Sequence, residues 1–392
     1  MKALILGAGR IGRGFITELL TANNVEIAFF DVSQEMVNLL NKHGEYTIHV
    51  LGNESKNTEV KNVKAYMIND INVLAEHWLS ADYIFTACGG KNLKNVGKIL
   101  ANAYRIIYAM GENHHSNIVT CENWIDPADD LKKAIIENLD ENEKTIFLKN
   151  TGVSESVILC TGTGAPDPSK VTNQMDTWVQ DLRLLPIDRD RIIGELPNLK
   201  YIEFVTEFGN LLKQKIYTNN TSVATVAYLG KLKGLTYVAD SANDCEIEPI
   251  LDGVYEEINR ALVEGMGIDK ESQLTFSKNA KAKYTDRAII DLVDRIARDP
   301  IRKLGPEDRF IGPMKIALKA NVKPKSIALG CAAAIYYDNP EDEASMELKK
   351  MRNEQGVDFI LENISKLEPN DPVTIYIKDA IVELKNKGWI KE

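Results

Sequence analysis

No run of about eighteen apolar residues, the length that a membrane-spanning helix needs, occurs anywhere in the chain. Its 44% hydrophobic and 27% charged residues are those of an ordinary globular protein. Cysteine is sparse. Cys88, Cys121, Cys160, Cys245 and Cys331 stand singly, with no CxxC pair and an odd total, so neither a disulfide framework nor a zinc site is indicated. Basic charge is in deficit: 47 Lys and Arg face 57 Asp and Glu, for a formal net charge of −10. Bulk attraction to nucleic acid or to an anionic membrane is therefore not expected, although a local basic pocket can still take an anionic metabolite. Histidine is scarce and one-sided, since His43, His49, His77, His114 and His115 are the only five and none follows. No low-complexity tract or internal repeat is present, which argues against a solenoid. The opening run Met1-Lys2-Ala3-Leu4-Ile5-Leu6-Gly7 reaches glycine too soon for a signal peptide, and a cytoplasmic location is expected.

The pattern of apolar residues shows how the 392 residues are organised. At roughly 100 to 200 residues per domain, two or three domains are expected. Lys2–Leu6 and Val25–Phe30 read as short apolar strands, with helical spacing over Ile11–Leu20 between them and over Met36–Leu40 after them. Further strands at Tyr83–Thr86 and Ile118–Cys121, separated by the basic helix Leu93–Ala103, imply an open and largely parallel sheet. From about Ala165 the strand signals thin out, and Pro166 and Pro168 punctuate the chain. Beyond Thr221, helical spacing recurs over Ser222–Leu232, Pro249–Met266, Ala288–Arg298, Ser326–Tyr336 and Ala344–Asn353 and through the tail from Val357 to Trp389. The expected division is 1–165 for the sheet domain, extending as far as about 200, and 200–392 for a mainly α-helical domain.

Gly7-Ala8-Gly9-Arg10-Ile11-Gly12 lies between the first strand and the first helix. There the first glycine permits a tight turn, the second lets backbone approach a pyrophosphate, and the third allows close packing of helix on strand. The helix N-terminus offers unpaired N–H groups to phosphate. Asp31 closes the second strand, where a carboxylate accepts hydrogen bonds from the adenosine ribose and repels a 2′-phosphate, favouring NAD over NADP. The competing reading is a glycine-rich turn with Asp31 as a helix N-cap. Thr86 and Ala87, at the end of a later strand in Thr86-Ala87-Cys88-Gly89-Gly90, would meet ligand at the carboxyl edge of the sheet, or form only a turn.

Three segments carry a likeness to a known family. They are Gly7 to Ile16, Cys121-Glu122-Asn123, and Lys215-Ile216-Tyr217-Thr218-Asn219-Asn220-Thr221 running into Ala227-Tyr228-Leu229-Gly230-Lys231-Leu232. Together with Asp299 to Leu304, Asp308 to Ile311 and Cys331 to Ala334, in that order, they resemble the polyol-specific long-chain dehydrogenases, the mannitol dehydrogenase family. The resemblance implies a Rossmann-type, doubly wound α/β domain followed by a helical substrate domain, with chemistry in the cleft between them and no metal. It implies an NAD-dependent dehydrogenase, monomeric although the helical surface leaves a dimer open, acting on a sugar alcohol or its phosphate. The implied pair is mannitol 1-phosphate and fructose 6-phosphate. By matching position Lys215 becomes the general base, Asn220 and Asn123 the carboxamides that hold the carbinol oxygen, and Arg295 and Lys303 contacts to substrate oxygens. A lysine in a desolvated cleft near other cations has its pKa lowered toward neutrality, and two carboxamide donors suit an oxygen that gains negative charge. Most lysines are solvated and most asparagines cap or turn, so salt bridges from Arg295 and Lys303 to Asp294 and Asp299 are the competing reading.

Two departures bear on the substrate. The family has a histidine eight residues after the lysine, where this chain has Val223, and an Asp-Arg pair in a strand where this chain reads Val157-Ile158-Leu159-Cys160, with Ile158-Leu159 in place of the pair. Lost polar contacts, at about 1 to 3 kcal/mol per buried group, point to an altered pocket. His114 and His115 precede the strand that ends near Asn123, and an exposed loop pair is the reading they favour. Arg295, Arg298, Arg302, Lys303 and Arg309 form a basic stretch suited to a substrate phosphate, interleaved with Asp294, Asp299, Glu307 and Asp308. A dehydrogenase of a free polyol or sugar acid, or a non-catalytic dinucleotide-binding protein with a decayed substrate site, are the alternatives.

Overall fold

Short apolar runs become strands because their alternate side chains reach two different cores. In β1 (Lys2–Leu6) Ala3 and Ile5 join one buried cluster while Leu4 and Leu6 join another, so the strand is covered on both faces. The structure is a computed structural model that describes residues 1–391 except Asn113, Ile125, Pro168, Lys170 and Thr172. The chain divides into two compact units, Met1–Phe208 and Gly209–Glu392.

The strands of the first unit after β1 are β2 (Glu26–Asp31), β3 (Glu45–Val50), β4 (Thr58–Lys61), β5 (Lys64–Met67), β6 (Tyr83–Thr86), β7 (Ser116–Thr120), β8 (Thr151–Glu155), β9 (Gly162–Thr163), β10 (Thr177–Val179), β11 (Leu185–Asp188) and β12 (Ile202–Val205). Six of them form one sheet in the order β5-β2-β1-β6-β7-β8, every pair parallel. The order reverses at β1, so the loops after β1 and β6 part to opposite sides and leave a crevice at their carboxyl ends, the usual place for ligand in an open α/β sheet.

A second sheet, β4-β3-β10-β9, is absent from the sequence reading. Its signal was partly there, because β3 alternates with Tyr46, Ile48 and Val50 buried. Its partner β10 lies far along the chain. The thinning of strand signals after Ala165 also reflects shortness rather than absence, since β10, β11 and β12 all follow it within the first unit. Of the two prolines noted there, Pro168 lies outside the described residues.

The second unit is helical. Helices Thr221–Leu232 and Lys325–Ile335 are apolar on nearly every side, the pattern of a helix buried all round. They pack so closely that a Cβ on Gly330 would stand 2.3 Å from Thr225 Oγ1. Helix Glu248–Met266 flanks them, and helix Lys270–Thr285, which the spacing did not reveal, covers one side. The expected helix over Ala288–Arg298 shrinks to Val293–Ala297, because Leu292 leaves helical geometry to bridge with Tyr237. Helix Glu343–Asn363 breaks at Gly356 (φ 85°), and the tail closes with helix Pro372–Asn386. Among the described residues no helix is long and apolar enough to cross a membrane.

Candidate functional site

The loop after β1 is built around its glycines. Gly7 adopts φ +105°, and a Cβ there would stand 2.6 Å from the Ala87 carbonyl oxygen, so this turn and the neighbouring loop after β6 need glycine together. A Cβ on Gly12 would stand 2.1 Å from the Gly7 oxygen, which fixes the close packing of the helix that opens at Arg10. Gly9 differs: its Cβ would meet no protein atom within 4 Å. Packing does not ask for glycine at this position, whereas backbone approach by a pyrophosphate does. The loop therefore fits a dinucleotide, with Ala8 buried, Ile11 half-buried and Arg10 exposed alongside Gly162 and Gly164.

Asp31 Oδ2 accepts a hydrogen bond from the Ala8 N–H at 2.6 Å, and Oδ1 accepts from the Ser33 N–H at 2.8 Å. The following helix, Gln34–His43, is capped by the Ser33 side chain instead, so Asp31 is not its N-cap. Tied to the glycine loop and half-buried, the carboxylate keeps lone pairs for ribose hydroxyls. Arg13 follows the last glycine of the motif. It is buried, with Nε donating to the Ala8 carbonyl at 2.7 Å and Nη1 to the Met175 carbonyl at 2.8 Å, clamping the loop to the neck of the second sheet. Only the fold shows that partner.

The Thr86 side chain is engaged within the protein. It is wholly buried and its hydroxyl donates to Glu122 Oε2 at 2.7 Å, while Glu122 Oε1 accepts from the Cys88 N–H at 3.0 Å. Burial pushes the Glu122 carboxyl above its ordinary pKa, against these hydrogen bonds. Glu122 thus joins the loop after β6, which carries Ala87, to the loop after β7, which carries the exposed Asn123. The sequence reading passed over this residue because neither of its partners is near it in the chain.

In the second unit, helix Phe208–Lys215 runs into a wide π turn, Ile216–Asn220, before helix Thr221–Leu232. Such turns recur at functional sites. Lys215 and Asn220 begin and end this stretch, both buried. Burial above all lowers the Lys215 pKa to about 7; the cations Arg309, Lys283 and Arg302 push the same way, and Asp308 partly offsets them. Thr221 donates to the Arg309 carbonyl at 2.6 Å, holding that segment beside the turn. Arg309 Nε donates to Asp308 Oδ1 at 2.8 Å, and Arg302 Nη1 lies 3.4 Å from Asp308 Oδ2. Burial would raise the Asp308 pKa, but Arg309 and these hydrogen bonds hold it low, so the carboxylate stays charged amid the cations.

Two expected substrate contacts are otherwise engaged. The Lys303 amine is buried and donates to the carbonyls of Ile296 and Arg298, above the ring of Tyr228. Arg295 forms a two-pronged pair with Asp291, at 2.7 and 2.5 Å, on an exposed helix face. The largest charges acting on Lys215 are instead Arg309, Lys283, Asp308 and Arg302. Arg302, by contrast, is gathered with Lys215, and Arg309 and Lys283 join it there.

The departures from the family pattern are filled with apolar packing. Val223 lies in the helical core, Cys160 in the core of the first unit with Ile158 packed against it, and Val157 is buried. His114 Nε2 lies 2.8 Å from the Ala81 carbonyl, at the amino edge of β6 and β7 opposite the glycine loop. His115 precedes β7 at that same edge, and His49 is stacked on Trp178. Among the described residues no cluster of three or more His, Cys, Asp or Glu side chains could hold a metal ion.

Comparison with known proteins places both units. Residues 1–199 match the mannitol dehydrogenase Rossmann domain and residues 210–385 the mannitol dehydrogenase C-terminal domain. The chain is 30% identical to a mannitol-1-phosphate 5-dehydrogenase of Caldanaerobacter subterraneus subsp. tengcongensis over 99% of both proteins. It is 33% identical to one of Bacillus pumilus over 95% of this chain and 97% of that protein. In fold it is similar to a mannitol 2-dehydrogenase of Pseudomonas fluorescens solved with NAD and D-mannitol, at a TM-score of 0.75 and 12% identity, covering 99% of this chain and 92% of that one. With the two domains matched in sequence order over nearly its whole length, the chain belongs to the mannitol dehydrogenase family.

Proposed function

We propose that the protein is an NAD-dependent dehydrogenase interconverting a sugar alcohol phosphate and the corresponding ketose phosphate, with mannitol 1-phosphate and fructose 6-phosphate as the pair. The observation that carries this reading is a buried lysine, Lys215, whose pKa of about 7 suits proton exchange with an alcohol at neutral pH. The names of the relatives support the substrate, and so does the gathering of Arg302, Arg309 and Lys283 around that amine, a charge pattern suited to phosphate.

When bound, the dinucleotide supplies the acceptor for the hydride that leaves the carbinol carbon. The turn Gly7-Ala8-Gly9 would let its pyrophosphate approach the backbone at Gly9, and Asp31 would accept from the ribose and disfavour a 2′-phosphate. Lys215, as the neutral amine, accepts the hydroxyl proton as the C–H bond breaks, and as the ammonium it returns that proton in the reverse direction. Asn220, at the far end of the same π turn, donates to the carbinol oxygen as its charge grows. Asn123 is the second candidate carboxamide. With Val223 apolar, no imidazole shares the proton, so Lys215 acts alone.

The test is a screen of mannitol 1-phosphate, other polyol phosphates, free polyols and hexonates for NADH formation. Mannitol 1-phosphate should be oxidised with a far higher kcat/KM than mannitol. Preference for a free polyol or hexonate would move the substrate. No turnover with any of them, despite dinucleotide binding, would leave a binding protein.

A further inference from the structure

The π turn that follows Lys215 needs holding. Such a turn inserts a residue into the helical ladder and persists where its surroundings over-determine it. Against this one lies a fully buried glutamine, Gln273 of helix Lys270–Thr285. Its Oε1 accepts from Gln214 Nε2 at 3.0 Å, and its Nε2 faces Thr218 Oγ1 at 3.0 Å, Asn259 Oδ1 at 2.9 Å and Ser277 Oγ at 3.2 Å. Ser277 in turn donates to Asn259 Oδ1. Gln214 immediately precedes Lys215 and Thr218 follows it within the turn, so a single carboxamide grips the chain on both sides of the amine. The same helix sends the Tyr284 hydroxyl to the Asn219 carbonyl at 3.2 Å and carries Lys283.

Burying a carboxamide is costly unless it is well bonded, and apolar groups replacing both partners of a buried hydrogen bond are often nearly neutral for stability. Core packing alone gives no reason for this network. We infer that Gln273, with Asn259 and Ser277, is a positioning network that fixes the π turn and thereby the place of the Lys215 amine. For its effect on turnover the inference rests on Lys215 being the proton acceptor; for its effect on the amine itself it does not. The largest charges acting on the amine are those of Arg309, Lys283, Asp308 and Arg302, and the side chains of the network, Gln273, Asn259 and Ser277, carry no charge. A changed titration of Lys215 in a network variant therefore reports displacement rather than a lost charge.

The experiment is Gln273→Met in the full chain, close in volume and without the polar group. Lys215 is titrated by its Cε NMR resonance in lysine-labelled protein, assigned by the signal missing in Lys215→Met, and steady-state rates are taken across the same pH range. As the turn loosens and water reaches the amine, its pKa should rise by about one pH unit or more toward the ordinary lysine value. Turnover should fall roughly ten- to hundredfold, as expected when a reacting group is misplaced, with the KM for NAD within about twofold. An unmoved titration overturns the inference whatever turnover does. A raised titration with unaltered turnover upholds the network and instead removes Lys215 from proton transfer. If Gln273→Met does not fold, Ser277→Ala deletes one hydroxyl and leaves the hub in place. The same rise is expected there on a smaller scale, and an unmoved titration again overturns the inference.

Discussion

Replacing Lys215 by Met should remove proton transfer and at the same time stabilise the protein near neutral pH. Desolvation is the largest cause of the amine's lowered pKa, with Arg309, Lys283 and Arg302 adding repulsion. A fall from 10.5 to about 7 means that keeping the ammonium in place costs the fold on the order of 5 kcal/mol. Between those two values the unfolded chain holds a proton that the folded chain has released, so this group's contribution to stability improves as pH rises. Its penalty is complete below about pH 7 and gone above about pH 10.5. Met fills nearly the same volume without a charge. The variant should therefore melt at a higher temperature than the wild type at about pH 6, and the two should converge toward about pH 10. Turnover should fall roughly a hundred- to ten-thousandfold, the usual effect of losing a general base, with NAD affinity little changed. In the wild type, NADH formation should rise with pH through about 7, and this limb should vanish in the variant. Near-wild-type turnover with an unchanged pH profile would refute the mechanism; a melting difference equal at both pH values would refute the electrostatic reasoning.

Four further outcomes follow from the geometry. Asp31→Ala should narrow the preference for NAD over NADP, measured as a ratio of kcat/KM values, because it removes ribose contacts and repulsion of a 2′-phosphate; equal use of both cofactors by the wild type would sink that assignment. Glu122→Ala should lower stability by about 1 to 3 kcal/mol, since the Cys88 N–H loses its acceptor. Glu122→Gln should be far milder, because its amide oxygen can still face Cys88, and equal melting of the two variants would count against the clamp. Arg302→Ala should raise KM for a phosphorylated substrate more than for its free counterpart. Lys303→Met should instead leave the preference for a phosphorylated substrate unchanged, because that amine is engaged by the carbonyls of Ile296 and Arg298, and a selective loss of phosphate recognition there would restore Lys303 to the substrate site.

What the sequence by itself determined is what is written in short, contiguous spacing. The glycine loop between β1 and its helix and the carboxylate closing β2 were legible because local backbone geometry dictates them. The lysine and asparagine framing Ile216–Asn220 were legible by resemblance, although the π turn between them was not. Tertiary structure decided which charged residues are already engaged and with what. Lys303 directly follows Arg302, yet its amine turns to backbone carbonyls while the Arg302 side chain joins Asp308 near Lys215. Arg295 pairs with Asp291, which lies outside the short helix Val293–Ala297, so only the fold shows that pairing. Glu122 with Thr86, Arg13 with Met175 and Gln273 with Thr218 are contacts between residues distant in the chain. A polar side chain's role depends on which partners the fold brings within about 3 Å of it, and no local pattern encodes that distance.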